Sequence, residues 1–128
     1  MNTNIILQLY RSQEQVQQLN KWLAEGNQNI YIDGLMASAK ALIPALTIHQ
    51  GSHLLVANDR ESAGYLYHDL TQLLGEKPVF FLPSSYKRNA EEVEQDPQNI
   101  LMRTEALSMI LSGKESNLYI VTYPEALT

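Results

Sequence analysis

The chain has 128 residues, 45% of them apolar, with no cysteine and a formal net charge of -5. That length suits one domain, able to bury roughly two-thirds of the surface its unfolded form exposes, and the missing cysteines exclude a disulfide scaffold, a Cys-ligated zinc or iron–sulfur site and a thiol nucleophile. Nine Lys and Arg residues scattered along an acidic chain argue against phosphate-driven nucleic-acid binding by this segment alone, which needs clustered basic side chains.

Met1 to Tyr10 carries no basic n-region and no apolar run of secretory length, and no later stretch approaches the ~20 apolar residues of a membrane span. The expectation is a soluble cytoplasmic domain. Ser12, followed by Gln13, Glu14, Gln15 and an apolar set at Val16, Leu19, Trp22 and Leu23, predicts an amphipathic helix closed by Gly26 and lying outside a sheet. Ile30, Tyr31 and Ile32 predict a short strand ending at Asp33-Gly34. Ala39 to Ile48 then predicts a helix, weakened by Pro44, because an interior proline removes a backbone donor.

His53 to Ala57 predicts a second buried strand. An Asp59-initiated helix follows, with Ala63, Leu66, Leu70, Leu73 and Leu74 on one face and Gly75 at its end. Val79 to Leu82 is the third strand. Pro83 opens a segment, irregular to about Asn99, that is long enough to suggest function. Ile100 to Leu111 predicts a helix with Leu101, Leu107, Ile110 and Leu111 as core positions, ending near Gly113. Leu118 to Val121 is the fourth strand. Alternating strands and helices, with each strand a nearly continuous apolar run, predict an α/β fold: a three-layer parallel sheet covered on both faces, with P-loop NTPase-like topology. The last residues, Tyr123 to Thr128, stop where another turn or helix would begin, so the expectation is the first subdomain of a longer protein.

Between the first predicted strand and its helix lies Gly34-Leu35-Met36-Ala37-Ser38-Ala39-Lys40-Ala41, where a Walker A loop belongs. It fits G-x-x-x-x-G-K-[ST] only at Gly34 and Lys40. Ala39 replaces the second glycine, at a cost of about 1 to 2 kcal/mol if the backbone there must be left-handed. Ala41 replaces the hydroxyl that binds Mg²⁺. Gly34, Ser38, Ala39, Lys40 and Ala41 therefore form a degenerate phosphate loop, with no cofactor expected, although Lys40 and free amides at the helix start would still attract an anion. No strand ends in a Walker B acid.

Other polar residues read as ordinary structure. His49, His53 and His68 lack metal-ligand spacing and read as surface or packing residues. Ser84-Ser85-Tyr86, beside Lys87-Arg88, reads as a hydrogen-bonded turn rather than a DNA-backbone contact. Arg103 and Glu105 read as a surface ion-pair helix face. Tyr65 and Tyr67, two apart in a helix, point in different directions and so make no base-stacking platform. The acidic run Glu91, Glu92, Glu94 and Asp96 reads as a solvated loop. No serine has a credible His-Asp arrangement around it, so nucleophilic catalysis has no basis.

Four blocks together give the chain a family likeness. They are Asp33 to Ala41, Phe80-Phe81-Leu82-Pro83-Ser84-Ser85-Tyr86, Arg103-Thr104-Glu105-Ala106-Leu107 and Ile120-Val121-Thr122-Tyr123-Pro124-Glu125-Ala126-Leu127. In this order and spacing the chain resembles the N-terminal, UvrB-like region of the bacterial transcription-repair coupling factors (Mfd). The resemblance implies a large ATP-dependent DNA translocase that displaces stalled RNA polymerase and recruits excision repair through UvrA. In that family the N-terminal region looks like UvrB with its nucleotide site decayed. The segment then has no catalytic residue or metal of its own, and meets UvrA, RNA polymerase and DNA only through the full protein. The main UvrA-contacting surface of the family lies on a neighbouring domain. UvrB's aromatic-rich damage-probing hairpin has no counterpart in Pro83 to Asn99, which holds only Tyr86 among aromatics. The alternative is a nucleotide-binding fragment of a UvrB-type or helicase-type ATPase; a stand-alone regulatory α/β domain is a third.

Overall fold

A computed structural model describes residues 3–47, 51–88, 93–114 and 117–128. Strands β1 (His53–Val56), β2 (Val79–Phe81) and β5 (Tyr119–Thr122) form a parallel sheet in the order β1-β5-β2. The register pairs His53 with Tyr119 and Val79 with the same residue from the other side. β5 is central and buried along its whole length, as its unbroken Tyr-Ile-Val-Thr run requires of a strand covered on both faces.

Helix α4 (Arg60–Leu74) joins β1 to β2, and α5 (Pro97–Ser112) joins β2 to β5. The first connection crosses the sheet in one direction and the second returns. Right-handed crossovers therefore place the two helices on opposite faces. Packing agrees: Val79, Phe81, Tyr119 and Val121 join Ala63 and Leu70 of α4 in one core, while Leu82, Leu118 and Ile120 join Ala106 of α5 in another. Helix α4 starts at Asp59, whose carboxylate accepts from the Ser62 amide at 2.7 Å, and ends at Gly75 with φ 85°. Both boundaries were legible from residue type.

Helices α1 (Thr3–Arg11), α2 (Glu14–Glu25) and α3 (Ala39–Leu46) build a satellite core on the α4 side, where Leu7, Val16, Ala45 and Leu46 meet Leu73 and Leu74. The sequence reading assigned no element to α1, since only Leu7 of its apolar residues is buried while Ile5 and Leu9 face solvent. Ser12 does not cap α2; its hydroxyl donates to the Leu9 carbonyl at 2.7 Å, closing α1. Pro44 lies inside α3 near its end and is buried. Only two residues of helix follow it, so its missing donor falls where few intrahelical bonds remain to be made.

Four expectations are corrected. Ile30–Ile32 does not enter the sheet; Tyr31 is 88% exposed and Ile32 39% exposed. The sheet is not covered throughout, because Leu54 and Val56 of β1 are 60% and 51% exposed on the α5 face. The segment from Pro83 is not wholly irregular: β3 (Tyr86–Arg88) pairs antiparallel with β4 (Val93–Gln95), and α5 begins at Pro97 rather than Ile100. Asp96 caps that helix by accepting from the amides of Gln98 and Asn99, with Pro97 at the first helical position where its fixed φ is suited. Asp96 is thus structural; Glu91 and Glu92 lie outside the described residues. Finally, Leu101, Leu107, Ile110 and Leu111 are exposed, and the core positions of α5 are Ala106 and Asn99. Apolar residues occur all round this helix, so periodicity alone selected the wrong face.

Candidate phosphate-loop site

The segment that the sequence reads as a degenerate phosphate loop lies at the start of α3 and beside the carboxyl end of β1. Ala37, Ser38 and Lys40 line a cleft of about 610 Å³ together with Leu55, Val56, Ala57, Asn58, Ser62, Tyr65, Leu66 and Asp69. A crevice beyond the carboxyl ends of parallel strands is the general ligand position in open α/β sheets. The sequence reading brought Ser38 and Lys40 to this place but missed Asn58, Ser62 and Asp69. They belong to the next strand-helix unit, and only the sheet order brings them beside the loop.

The loop satisfies half of its own backbone amides. The amides of Ala39, Lys40 and Ala41 donate to the carbonyls of Met36, Ala37 and Ser38 at 3.0, 3.3 and 3.1 Å. The Gly34 amide donates to the Asp33 carboxylate at 2.7 Å. A phosphate-binding loop needs such N–H groups pointing at the ligand. Four of the eight amides from Gly34 to Ala41 thus already have acceptors within the chain, which corrects the expectation of free amides at the helix start.

Backbone conformation relocates the strain as well. Ala39 is the first residue of α3 and is not left-handed, so the cost expected there does not arise. The left-handed residues are Gly34, with φ 78°, and Ala37, with φ 49°. A Cβ built on Gly34 would meet nothing within 4 Å, so its φ alone calls for glycine. Ala37 bears the strain of a left-handed non-glycine residue, of order 1 to 2 kcal/mol.

Side chains complete the picture. Ala41 is fully buried and belongs to the core formed with Ala63, Leu70 and Val121. A hydroxyl at this position would therefore enter the core. Lys40 and Ser38 are exposed, and Ser38, at the N-cap position, makes no side-chain cap. Neither side chain is tied down by a hydrogen bond or ion pair among the described residues.

A second polar cluster surrounds the ends of β2 and β5. Arg103 donates from Nη1 to the carbonyls of Pro83 at 3.0 Å and Ala126 at 2.7 Å, in place of the surface ion pair expected from sequence. The Tyr123 hydroxyl accepts from the Ser84 amide at 2.9 Å, and the Tyr86 amide donates to the Ser84 hydroxyl at 3.3 Å, tying the Ser84-Ser85-Tyr86 turn to the sheet. Buried Asn99 accepts from Arg60 Nη2 at 3.1 Å. These contacts fasten loops to the scaffold and converge on no common point where a reacting atom would sit.

The remaining candidates are structural. His53 stacks on Tyr119 with ring centroids 4.5 Å apart and bonds Thr47 Oγ1 through Nε2 at 2.9 Å. Burial of Tyr119 pushes its hydroxyl pKa up, with Arg11 acting in the opposite direction. His68 is exposed, and His49 lies outside the described residues. Tyr67 packs on Phe81 while Tyr65 faces outward. No helix among the described residues is long and apolar enough to cross a membrane. No protein-family model matches the chain, nor does any curated protein or solved structure.

Proposed function

We propose that the chain is a non-catalytic interaction module of P-loop-like topology, the N-terminal UvrB-like part of a transcription-repair coupling factor. On this reading its working ATP site, its DNA contacts and its engagement of RNA polymerase and UvrA belong to the full protein, in the cytoplasm. The observation that carries the reading is the self-satisfied loop: the amides of Gly34, Ala39, Lys40 and Ala41 have intrachain acceptors, and the Ala41 methyl is buried. A loop in that state offers Mg-nucleotide neither a cradle nor a metal ligand.

Calorimetric titration with Mg-ATP tests it. The expected result is no heat from the parent chain and none from an Ala39→Gly, Ala41→Thr variant, because restoring two side chains does not reopen the amides. Micromolar binding by the parent would overturn the proposal. It would favour the second reading, a nucleotide-binding fragment of a UvrB-type or helicase-type ATPase, which draws on the cleft of about 610 Å³ beside Lys40. The UvrA side of the proposal is tested by pull-down of the full protein with UvrA, with and without residues 1–128.

A further inference from the structure

Helix α5 is apolar all round, yet the sheet covers it on one face only. Asn99, Ala106 and Met109 lie toward the sheet, whereas Leu107 and Ile110 on one flank and Leu101 and Leu111 on the back are open, Leu111 at 84%. A surface helix carries polar residues at such positions, and a helix apolar on every side is one enclosed between layers. On the same face of the sheet, Leu54 and Val56 of β1 are bare. They lie beside Ile120 and Thr122 in the register, so they point to the α5 side.

Handedness brings these two bare surfaces together. The right-handed return from β2 to β5 sets α5 above those two strands and antiparallel to them, so β1 lies beside the helix and not beneath it. With Ala106 turned to the sheet, the step of about 100° per residue in an α-helix carries residue 107 onto the flank nearer β1 and residue 105 onto the opposite one. Ile100, Leu107 and Leu111 follow one another down the nearer flank, with Ile110 below them. The result is a trough one helix wide, floored by Leu54 and Val56 and walled by these four residues.

The wall and the floor together select the occupant. A foreign helix laid on Leu54 and Val56 would cover the floor and leave the back of α5 open. A second copy, turned about a two-fold axis parallel to the strands, covers both at once. Each α5 then lies on the other copy's β1, and the two helices run side by side in one layer between two sheets, at the roughly 8 to 10 Å of packed helices. The six residues together expose roughly 600 Å², the upper end of what a monomer leaves bare, and Thr104 and Ser108 at the margin extend this toward the ~800 Å² per partner of a stable complex. Charge does not oppose the contact: Arg103 is held by the Pro83 and Ala126 carbonyls, and Glu105 sits on the far flank.

From this self-complementarity we infer that the chain forms a two-fold dimer through α5 and the bare face of β1, with Leu107 facing its own counterpart across the axis. The dimer goes beyond the proposed function, makes no use of the phosphate loop and needs no rearrangement of the fold.

Sedimentation equilibrium of the chain from about 1 to 100 µM, the range that an interface of this size spans at its weak end, tests this. Twice the 14.5 kDa chain mass is expected at the upper concentrations. Leu54→Glu and Leu111→Glu, each at a position exposed in the single chain, should weaken association at least about thirtyfold. Both should keep the far-UV circular dichroism and the urea midpoint of dilute protein. Tyr31→Glu, exposed beside α2 and α3, should associate as the parent does. Because the chain has no native cysteine, Leu107→Cys should oxidise to an interchain disulfide and Glu105→Cys, on the opposite flank, should not. A chain that stays monomeric throughout the range would overturn the proposal. So would a dimer that survives both glutamates, or one that cross-links through residue 105 as readily as through residue 107.

Discussion

Restoring the missing hydroxyl at Ala41 separates a decayed phosphate loop from a dormant one. The Ala41 side chain is fully buried in the core with Ala63, Leu70, Val79 and Val121. Ala41→Thr adds a methyl and a hydroxyl to a packed interior, and overpacking of this size costs about 1 to 3 kcal/mol. The new hydroxyl would compete for the carbonyls three and four residues back, those of Ser38 and Ala37, which already take the Ala41 and Lys40 amides at 3.1 and 3.3 Å. A net loss of about 2 kcal/mol, or roughly 5 to 10 °C in Tm for a chain of this length, is expected. Urea unfolding should show a lower midpoint at unchanged slope. Ala41→Ser, which carries the hydroxyl without the methyl, should lose about half as much. If Ala41→Thr is neutral and gains Mg-ATP binding, position 41 faces the cleft and the reasoning is wrong.

Asp96→Ala removes the acceptor for the Gln98 and Asn99 amides and should cost about 1 kcal/mol by chemical denaturation. Arg103→Ala frees the Pro83 and Ala126 carbonyls, and losing charge-assisted bonds of this kind should cost about 1.5 to 3 kcal/mol; Arg103→Lys, lacking the planar fork, should recover only part of the loss in the same assay. The Ser62 amide and hydroxyl beside Asp59 hold its carboxyl below the ordinary aspartate value. Its contribution is therefore fully present above that value and lost as pH falls through the lowered one. Unfolding midpoints followed from neutral to strongly acidic pH should fall less steeply in Asp59→Asn, which keeps a cap but carries no charge. Lys40→Ala, at an exposed position without a hydrogen bond or ion pair among the described residues, should change stability by no more than about 0.5 kcal/mol; on the proposed reading it should also leave the ATPase activity of the full protein unchanged, and a large loss of that activity with folding intact would refute the reading.

What was legible in the sequence was local chemistry. Asp59 and Gly75 bound α4 because a carboxylate cap and a left-handed glycine act within a few residues of themselves. The three strands of the parallel sheet were legible because apolar runs such as Val79-Phe80-Phe81 suit burial on both faces. The face of α5 was not, because a helix apolar all round carries no periodicity to read, and the choice between Ala106 and Leu107 is made by the sheet beneath it. Ile30–Ile32 failed for a different reason. Its composition is that of a strand, but a strand is completed by its neighbour, and residue type alone does not say whether one is in place. Spacing singled out Gly34 to Ala41, and Ala37, Ser38 and Lys40 of that segment line a cleft. The other wall of that cleft, Asn58, Ser62 and Asp69, is set by sheet order and was not legible.

From the condition of the loop it is expected that reversing two alanines does not suffice for nucleotide binding. A working phosphate loop holds several N–H groups free of intrachain acceptors, an arrangement costly without its anion because backbone donors normally find partners. Here Ala39, Lys40 and Ala41 use carbonyls three residues back, and Asp33 supplies an acceptor to Gly34. Each of these four bonds contributes about 1 kcal/mol net, so reopening the loop costs on the order of 4 kcal/mol before phosphate is bound, and the Asp33 carboxylate would additionally repel the incoming anion. Ala39→Gly changes none of these terms, since residue 39 is already right-handed. The substitution that does is Asp33→Asn, which removes the repelling charge. Combined with Ala37→Gly, which relaxes the left-handed residue at φ 49°, it should raise Tm slightly while still giving no calorimetric signal with Mg-ATP, because the three helix-start amides stay occupied. Binding by that double variant would show instead that charge and strain, and not occupied amides, had closed the site.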